Sequence, residues 1–213
     1  MTILITKPSH DKATSYLASW VSDVISSRKS GNFKILADHE VTREQTEECL
    51  KKLKPGLILF NGHGSEDEIQ GHNDEVIVKK GLNHTALKNT IVYALACDSA
   101  VELGPAAVKS GTKAYIGYDF PFGFLTNKFK ECTPEKDELA NFFKKPSNQI
   151  GISLIKGRTA REAYESSQAA FRKMISSIGS SETLPESKDI RFWLFCDMSS
   201  QRLLGDPDSF MTN

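Results

Sequence analysis

The sequence predicts an α/β protein in which a mostly parallel central sheet is sandwiched between helices. Three observations carry this. Strand-like apolar runs alternate with amphipathic helical stretches along most of the chain. Two of the runs, Leu57–Phe60 and Thr90–Ala96, lack the polar alternation of a half-exposed strand, as strands covered by helices on both faces do. The chain has 213 residues, 39% of them hydrophobic. That is enough to bury one core without disulfides or metals, so one domain over residues 1–213 is expected.

The elements follow in order. Thr2–Thr6 (TILIT) is the first strand. Over Asp11–Lys29, Tyr16, Leu17, Trp20, Val21, Val24 and Ile25 form a stripe of helical period, with Gly31 placed as a C-cap glycine. Phe33–Ala37 is the second strand. Thr42 and Gln45 have the spacing of a capping box, opening a helix that runs to Leu53 and stops at Pro55-Gly56. Leu57–Phe60 is a central strand, and Glu68–Val78 a small hairpin turning at His72–Asp74. After Thr90–Ala96, Ser99 and Glu102 have capping-box spacing, and Pro105–Ser110 is a helix ended by Gly111. Lys113–Tyr118 is another strand, followed by an aromatic-rich loop over Asp119–Asp137. Two helices follow, Glu138–Ile155, weakened around Pro146, and Ala160–Ile178, opened by Thr159 and Glu162. Gly179–Asp189 reads as a polar loop and Ile190–Cys196 (IRFWLFC) as a last strand.

Composition excludes several classes. Lys+Arg and Asp+Glu number 27 each, which argues against a general nucleic-acid binder. No run approaches the ~20 apolar residues of a membrane helix, and the first residues lack the pattern of a secretory signal. Cys49, Cys97, Cys132 and Cys196 match no zinc pattern and, in a cytoplasmic chain, are expected to be reduced. There is no HExxH, and His63, His72 and His84 are spaced too widely for a local zinc site, so neither metal nor cofactor is expected. Gly62-His63-Gly64 is not a dinucleotide fingerprint, since Asp67 stands where the third glycine belongs.

In open α/β sheets, sites lie beyond the carboxyl ends of central strands. Leu57–Phe60 runs on into Asn61-Gly62-His63-Gly64-Ser65, and Thr90–Ala96 into Cys97-Asp98-Ser99. Either reactive residue alone is more often a core cysteine or a surface histidine; the pairing carries the reading. If the strands are neighbours, His63 and Cys97 face one another. A base beside a thiol is what nucleophilic acyl transfer requires. The backbone N–H groups of Gly64 and Cys97 would hold the oxyanion.

An apolar strand ending in His-Gly, followed by an apolar strand ending in Ala-Cys, resembles the caspase-like (clan CD) cysteine peptidases. In this chain the segments are Leu57–Gly64 (LILFNGHG) and Ile91–Ala100 (IVYALACDSA). Cys97-Asp98-Ser99-Ala100, the later Ala114-Tyr115-Ile116-Gly117 and the terminal Gly205-Asp206-Pro207 are most similar to the CHAT, separase and gingipain branch, so the resemblance covers roughly residues 1–210. It departs from caspases proper. Only Ala96-Cys97 matches their cysteine motif, 34 residues rather than ~50 separate positions 63 and 97, and Leu95 stands where metacaspases have Asp.

The resemblance implies a caspase-hemoglobinase-like α/β/α sandwich and a cysteine endopeptidase with a Cys97–His63 dyad. The substrate would be a protein or peptide, with neither nucleic acid nor membrane as partner. CHAT-like proteases in bacteria are tied to defence or cell death, which implies a regulatory or activating protein partner. On this fold the specificity pocket lies at the end of the strand after the cysteine strand, which makes Asp119, Asp98, Phe120 and Phe122 the substrate-binding candidates. A carboxylate there binds a guanidinium through paired hydrogen bonds, so cleavage after Arg or Lys is expected. Two alternatives stand beside it: a catalytically silent interaction module of the same fold, and a flavodoxin-like regulatory domain, which Thr6-Lys7-Pro8 after the first strand, with no acid, disfavours.

Overall fold

A computed structural model describes residues 2–27, 31–179 and 185–211. Its centre is a six-stranded sheet. In chain order the strands are β1 (Thr2–Lys7), β2 (Asn32–Ala37), β3 (Leu57–Asn61), then β4 (Glu68–Gln70) and β5 (Val76–Lys79) of a separate hairpin, β6 (Ile91–Leu95), β7 (Ala114–Tyr118) and β8 (Gln201–Gly205). The main sheet has the order β2-β1-β3-β6-β7-β8. All pairs are parallel except β7 with β8. The helices are α1 (Lys12–Ser26), α2 (Arg43–Leu53), α3 (Leu103–Lys109), α4 (Glu138–Ile155), α5 (Ala160–Gly179) and α6 (Ser187–Ser200).

The period of two along the strands sorts side chains into two layers. On one face Ile3, Ile5, Leu57, Leu59, Tyr93 and Ile116 pack against α1, α4, α5 and α6. On the other, Leu4, Ile58, Phe60, Val92, Ala94 and Tyr115 pack against α2, α3 and the hairpin. β3, β6 and β7 are buried along their whole length, which accounts for their unbroken apolar sequences. The result is an α/β/α sandwich.

Local rules hold at most helix ends. Asp11 caps α1 by accepting the Thr14 N–H, and Thr42 caps α2 by accepting the Gln45 N–H. The Thr159–Glu162 box at the start of α5 closes in both directions. Three expectations are corrected. The first helix ends at Ser26 with Ser27 as its cap, so Gly31 caps nothing there; residues 28–30 lie outside the described residues. Ser99 does not cap α3: its hydroxyl donates to the Ala96 carbonyl, and Glu102 occupies the cap position without a side-chain bond. No capped helix follows Cys97 directly.

The largest correction concerns Ile190–Cys196. It is helical, within α6, not a strand. Ile190, Leu194 and Asp197 are buried at helical spacing, whereas Phe192 and Phe195 are more than half exposed. Exposed aromatics filled in the pattern and hid its period. The last strand is instead Gln201–Gly205, which closes the sheet antiparallel on β7. The Gly179–Asp189 loop falls partly on residues 180–184, outside the described residues, and α6 begins within it at Ser187. Gly205-Asp206-Pro207 is a turn that ties the chain end to the start of α5, with Arg161 N–H donating to the Pro207 carbonyl. No helix among the described residues is long and apolar enough to cross a membrane.

Candidate active site

The site lies at the carboxyl edge of β1, β3 and β6. Thr6 and Asn61 lock the first two strands there. Asn61 N–H donates to Thr6 Oγ1 at 3.1 Å, and the Asn61 amide donates to the Thr6 carbonyl at 2.8 Å. β3 and β6 pair in parallel from Leu57–Ile91 to Asn61–Leu95. His63 and Cys97 each lie two residues beyond that last pair, so they leave the sheet side by side.

The backbone between them is in contact. A Cβ on Gly64 would fall 2.9 Å from the Cys97 carbonyl oxygen and 3.0 Å from Ala96 Cβ. Gly62 takes a φ of +151°, and a Cβ there would stand 2.5 Å from the Gln70 carbonyl oxygen. Both glycines are required by the approach of the chain. Gly64→Ala is therefore expected to cost about 1–3 kcal/mol of stability through overpacking, read as a lowered denaturant midpoint. An unchanged midpoint would show that the two loops have room to part.

The side chains are arranged differently from the expected facing pair. His63 Nε2 bonds Asp11 Oδ2 at 2.6 Å. No hydrogen bond joins His63 to the Cys97 sulfur; the thiol faces the Phe122 N–H. Burial pushes the Cys97 thiol up, and the charges of Asp98 and Asp197 add to this against the Phe122 N–H. At Asp11 burial acts to raise the carboxyl, but the His63 bond and the Thr14 N–H and hydroxyl outweigh it and hold it at about 2. Asp11 is thus an ionised anchor that fixes one ring nitrogen of His63 and leaves Nδ1 for other work. Among the described residues the N–H groups of Gly64 and Cys97 donate to no backbone carbonyl of another residue, and the Cys97 N–H acts on its own sulfur.

The four substrate-binding candidates separate. Asp98 follows the thiol in a left-handed conformation (φ 55°), which Asp tolerates better than most residues. Burial and the charge of Asp119 push its carboxyl up. Asp119 is held by Arg202 Nε at 2.7 Å, so its charge is already matched. Phe120 is exposed. Phe122 is packed edge-on to Tyr118 with ring centroids 5.0 Å apart, and it also touches Trp20 and Phe124. Phe122, Gly123 and Phe124 line an open groove of about 510 Å³ that reaches Asp11 and Lys12.

The sequence reading misses two residues of the site, Asp11 against His63 and Asp197, whose charge acts on the thiol. Asp11 could have been found from its place: it is the first acid after β1, the strand next to β3. Asp197 had no such signal, because its segment reads as a strand ending at Cys196. In the structure Asp197 is buried on α6, accepts the Gly123 N–H through Oδ1 at 3.0 Å and leaves Oδ2 without a partner. Burial pushes its carboxyl well above the usual carboxylate range.

A scan of protein-family models found none that matches the chain, and a search of curated proteins found no significant relative.

Proposed function

We propose that the chain is a cysteine endopeptidase of the caspase-like type with Cys97 as nucleophile and His63 as general base and acid. The observation that carries this is the contact of the His63-Gly64 backbone with Cys97 at the carboxyl edge of two adjacent central strands, with His63 oriented by Asp11. A peptide lying along the groove beside Phe122 and Gly123 brings its carbonyl to the thiol. His63 Nδ1 accepts the thiol proton and the sulfur attacks the carbonyl carbon. The oxyanion is received by the N–H groups of Gly64 and Cys97. The C–N bond then breaks, the amine takes the proton from His63, and water hydrolyses the thioester with His63 again as base.

The resting thiol is neutral and unbonded to His63, so this reading makes proton transfer a consequence of substrate binding. The same observation favours a second reading, a catalytically silent module of the same fold that binds a protein partner. Cleavage after Arg or Lys rests on Asp98, next to the thiol in the chain, and on Asp119, whose charge acts on Asp98; Asp197 is buried and takes no part in it. A substrate guanidinium takes the place of Arg202 on Asp119.

Fluorogenic peptides ending in Arg, Lys, Asp, Asn and Leu test both points. The expected result is hydrolysis of the Arg and Lys peptides, with kcat/KM for Arg lowered at least ~10-fold in Asp119→Asn, the size of a lost charged hydrogen bond. A preference for Asp or Leu, or an Asp119→Asn enzyme at full rate on Arg, removes the basic specificity. Hydrolysis of no peptide, with retained fold, selects the silent module.

A further inference from the structure

Three histidines carried by three different segments converge at one corner of the site. His10 follows β1, His63 follows β3, and His72 opens the turn of the β4–β5 hairpin. The ring of His10 lies 6.0 Å from that of His63 and 5.5 Å from that of His72, edge-on to both. One ligand atom each from His10, His63 and Asp74 lies within 4.8 Å of the other two. His10 Nε2 is 3.1 Å from Asp74 Oδ1 and 4.0 Å from Asp11 Oδ2, the oxygen that holds His63.

Two further observations point to a ligand. The His10 side chain is only 9% exposed, so a nearly buried imidazole turns its Nε2 toward two carboxylates at this corner. Next, the carboxylates of Asp11 and Asp74 form ion pairs with histidines alone among the described residues, and neighbouring Lys12 is drawn off to Glu131. Two acids with no lysine or arginine on them, set against imidazoles, make a site selective for a cation that nitrogen can ligate. Imidazole with carboxylate suits zinc, copper or nickel rather than calcium or magnesium. A tetrahedral ion with bonds of about 2.0–2.2 Å places its ligands roughly 3.4 Å apart, so side-chain rotation that draws the three groups together by about 1 Å completes the site. Asp11 stands ready as a fourth ligand.

We propose that His10, His63 and Asp74 bind a zinc-like divalent metal ion and that the ion switches the protein off by occupying His63. The switching half rests on the reading of His63 as acid–base residue, since a metal-bound imidazole cannot take the thiol proton. The binding half does not. It joins the end of β1, the end of β3 and the hairpin turn, three segments that a bound ion would clamp together.

The test is titration of the full chain with Zn²⁺ against a chromophoric chelator. The intact protein and Cys97→Ala are expected to take up one ion with the same affinity. His10→Gln and Asp74→Asn are expected to lose at least ~10–100-fold, the loss seen even for residues that only support a ligand. Asp74 is exposed, so Asp74→Asn decides the matter if His10→Gln fails to fold. Absence of one-to-one uptake, full affinity in Asp74→Asn, or loss of uptake in Cys97→Ala each overturns the site. On a chain that cleaves peptides, Zn²⁺ is expected to inhibit and a chelator to restore the rate, with Asp74→Asn needing at least ~10-fold more metal. Uptake without inhibition overturns the switch. A chain that cleaves nothing overturns the proposed peptidase while the uptake result still decides the metal site.

Discussion

Cys97→Ala is expected to abolish peptide hydrolysis while leaving the unfolding free energy within about 1 kcal/mol of the parent, because the thiol is a small, half-buried group whose removal opens almost no cavity. The loss should be complete within detection, since no other residue at the carboxyl edge of β3 and β6 is a nucleophile of comparable strength. The other cysteines do not replace it: Cys49 is buried on α2, Cys132 is exposed in the loop after β7, and Cys196 lies on α6. A Cys97→Ala chain that still cleaves would move the nucleophile elsewhere. The pH dependence of the thiol adds a second readout. Burial pushes the Cys97 thiol up, so without substrate its alkylation rate should still be climbing at pH values where an ordinary thiol (pKa about 8.5) has levelled off. A resting thiol that reacts fastest at neutral pH would mean that His63 reaches it in the free protein.

The second large effect is expected at His63. His63→Ala should lower kcat by about 10²–10⁴-fold, the range for loss of a general acid–base group. Asp11→Asn keeps the ring in place through a neutral amide but weakens its orientation, so a smaller loss is expected, in kcat more than in KM. Equal activity of the His63→Ala and parent chains would remove the dyad. A loss in Asp11→Asn confined to KM would make Asp11 a wall of the groove rather than a positioning residue.

Much of the sandwich was legible in the sequence, and for a definite reason. Strands buried on both faces have to be apolar throughout, and Leu57–Phe60 and Thr90–Ala96 are nearly so. Capping follows from a few adjacent residues, so the Thr159–Glu162 box forms as expected; at Thr42 only half of the box forms, the hydroxyl capping the Gln45 N–H while the Thr42 N–H goes to the Glu40 carbonyl. The failures came where local pattern and packing part. Ile190–Cys196 has β-like composition, but α5 and the sheet take only one side of it, and Phe192 and Phe195 point to solvent. The true edge strand, Gln201–Gly205, is too short and mixed to be seen without β7 beside it. Ser99 and Glu102 have capping spacing, yet the turn at Asp98 sends the Ser99 hydroxyl to Ala96 instead.

At the site the division is sharper. That His63 and Cys97 end central strands is written in the chain, because an apolar strand and the residue after it are contiguous. What those side chains touch depends on strand order. β1 lies next to β3, so Asp11 meets His63 from 52 residues away. β8 lies next to β7, so Arg202 meets Asp119. The hairpin folds back over the same edge, so Asp74 meets His10 from 64 residues away. Each of these hydrogen bonds or ion pairs needs its partners within about 3 Å, a condition that only the closed sheet imposes. The sequence by itself determined which reactive residues stand at the sheet's edge; the tertiary structure decided that the histidine is held by an acid, that the expected specificity carboxylate is already paired, and that histidines from three separate segments share one corner.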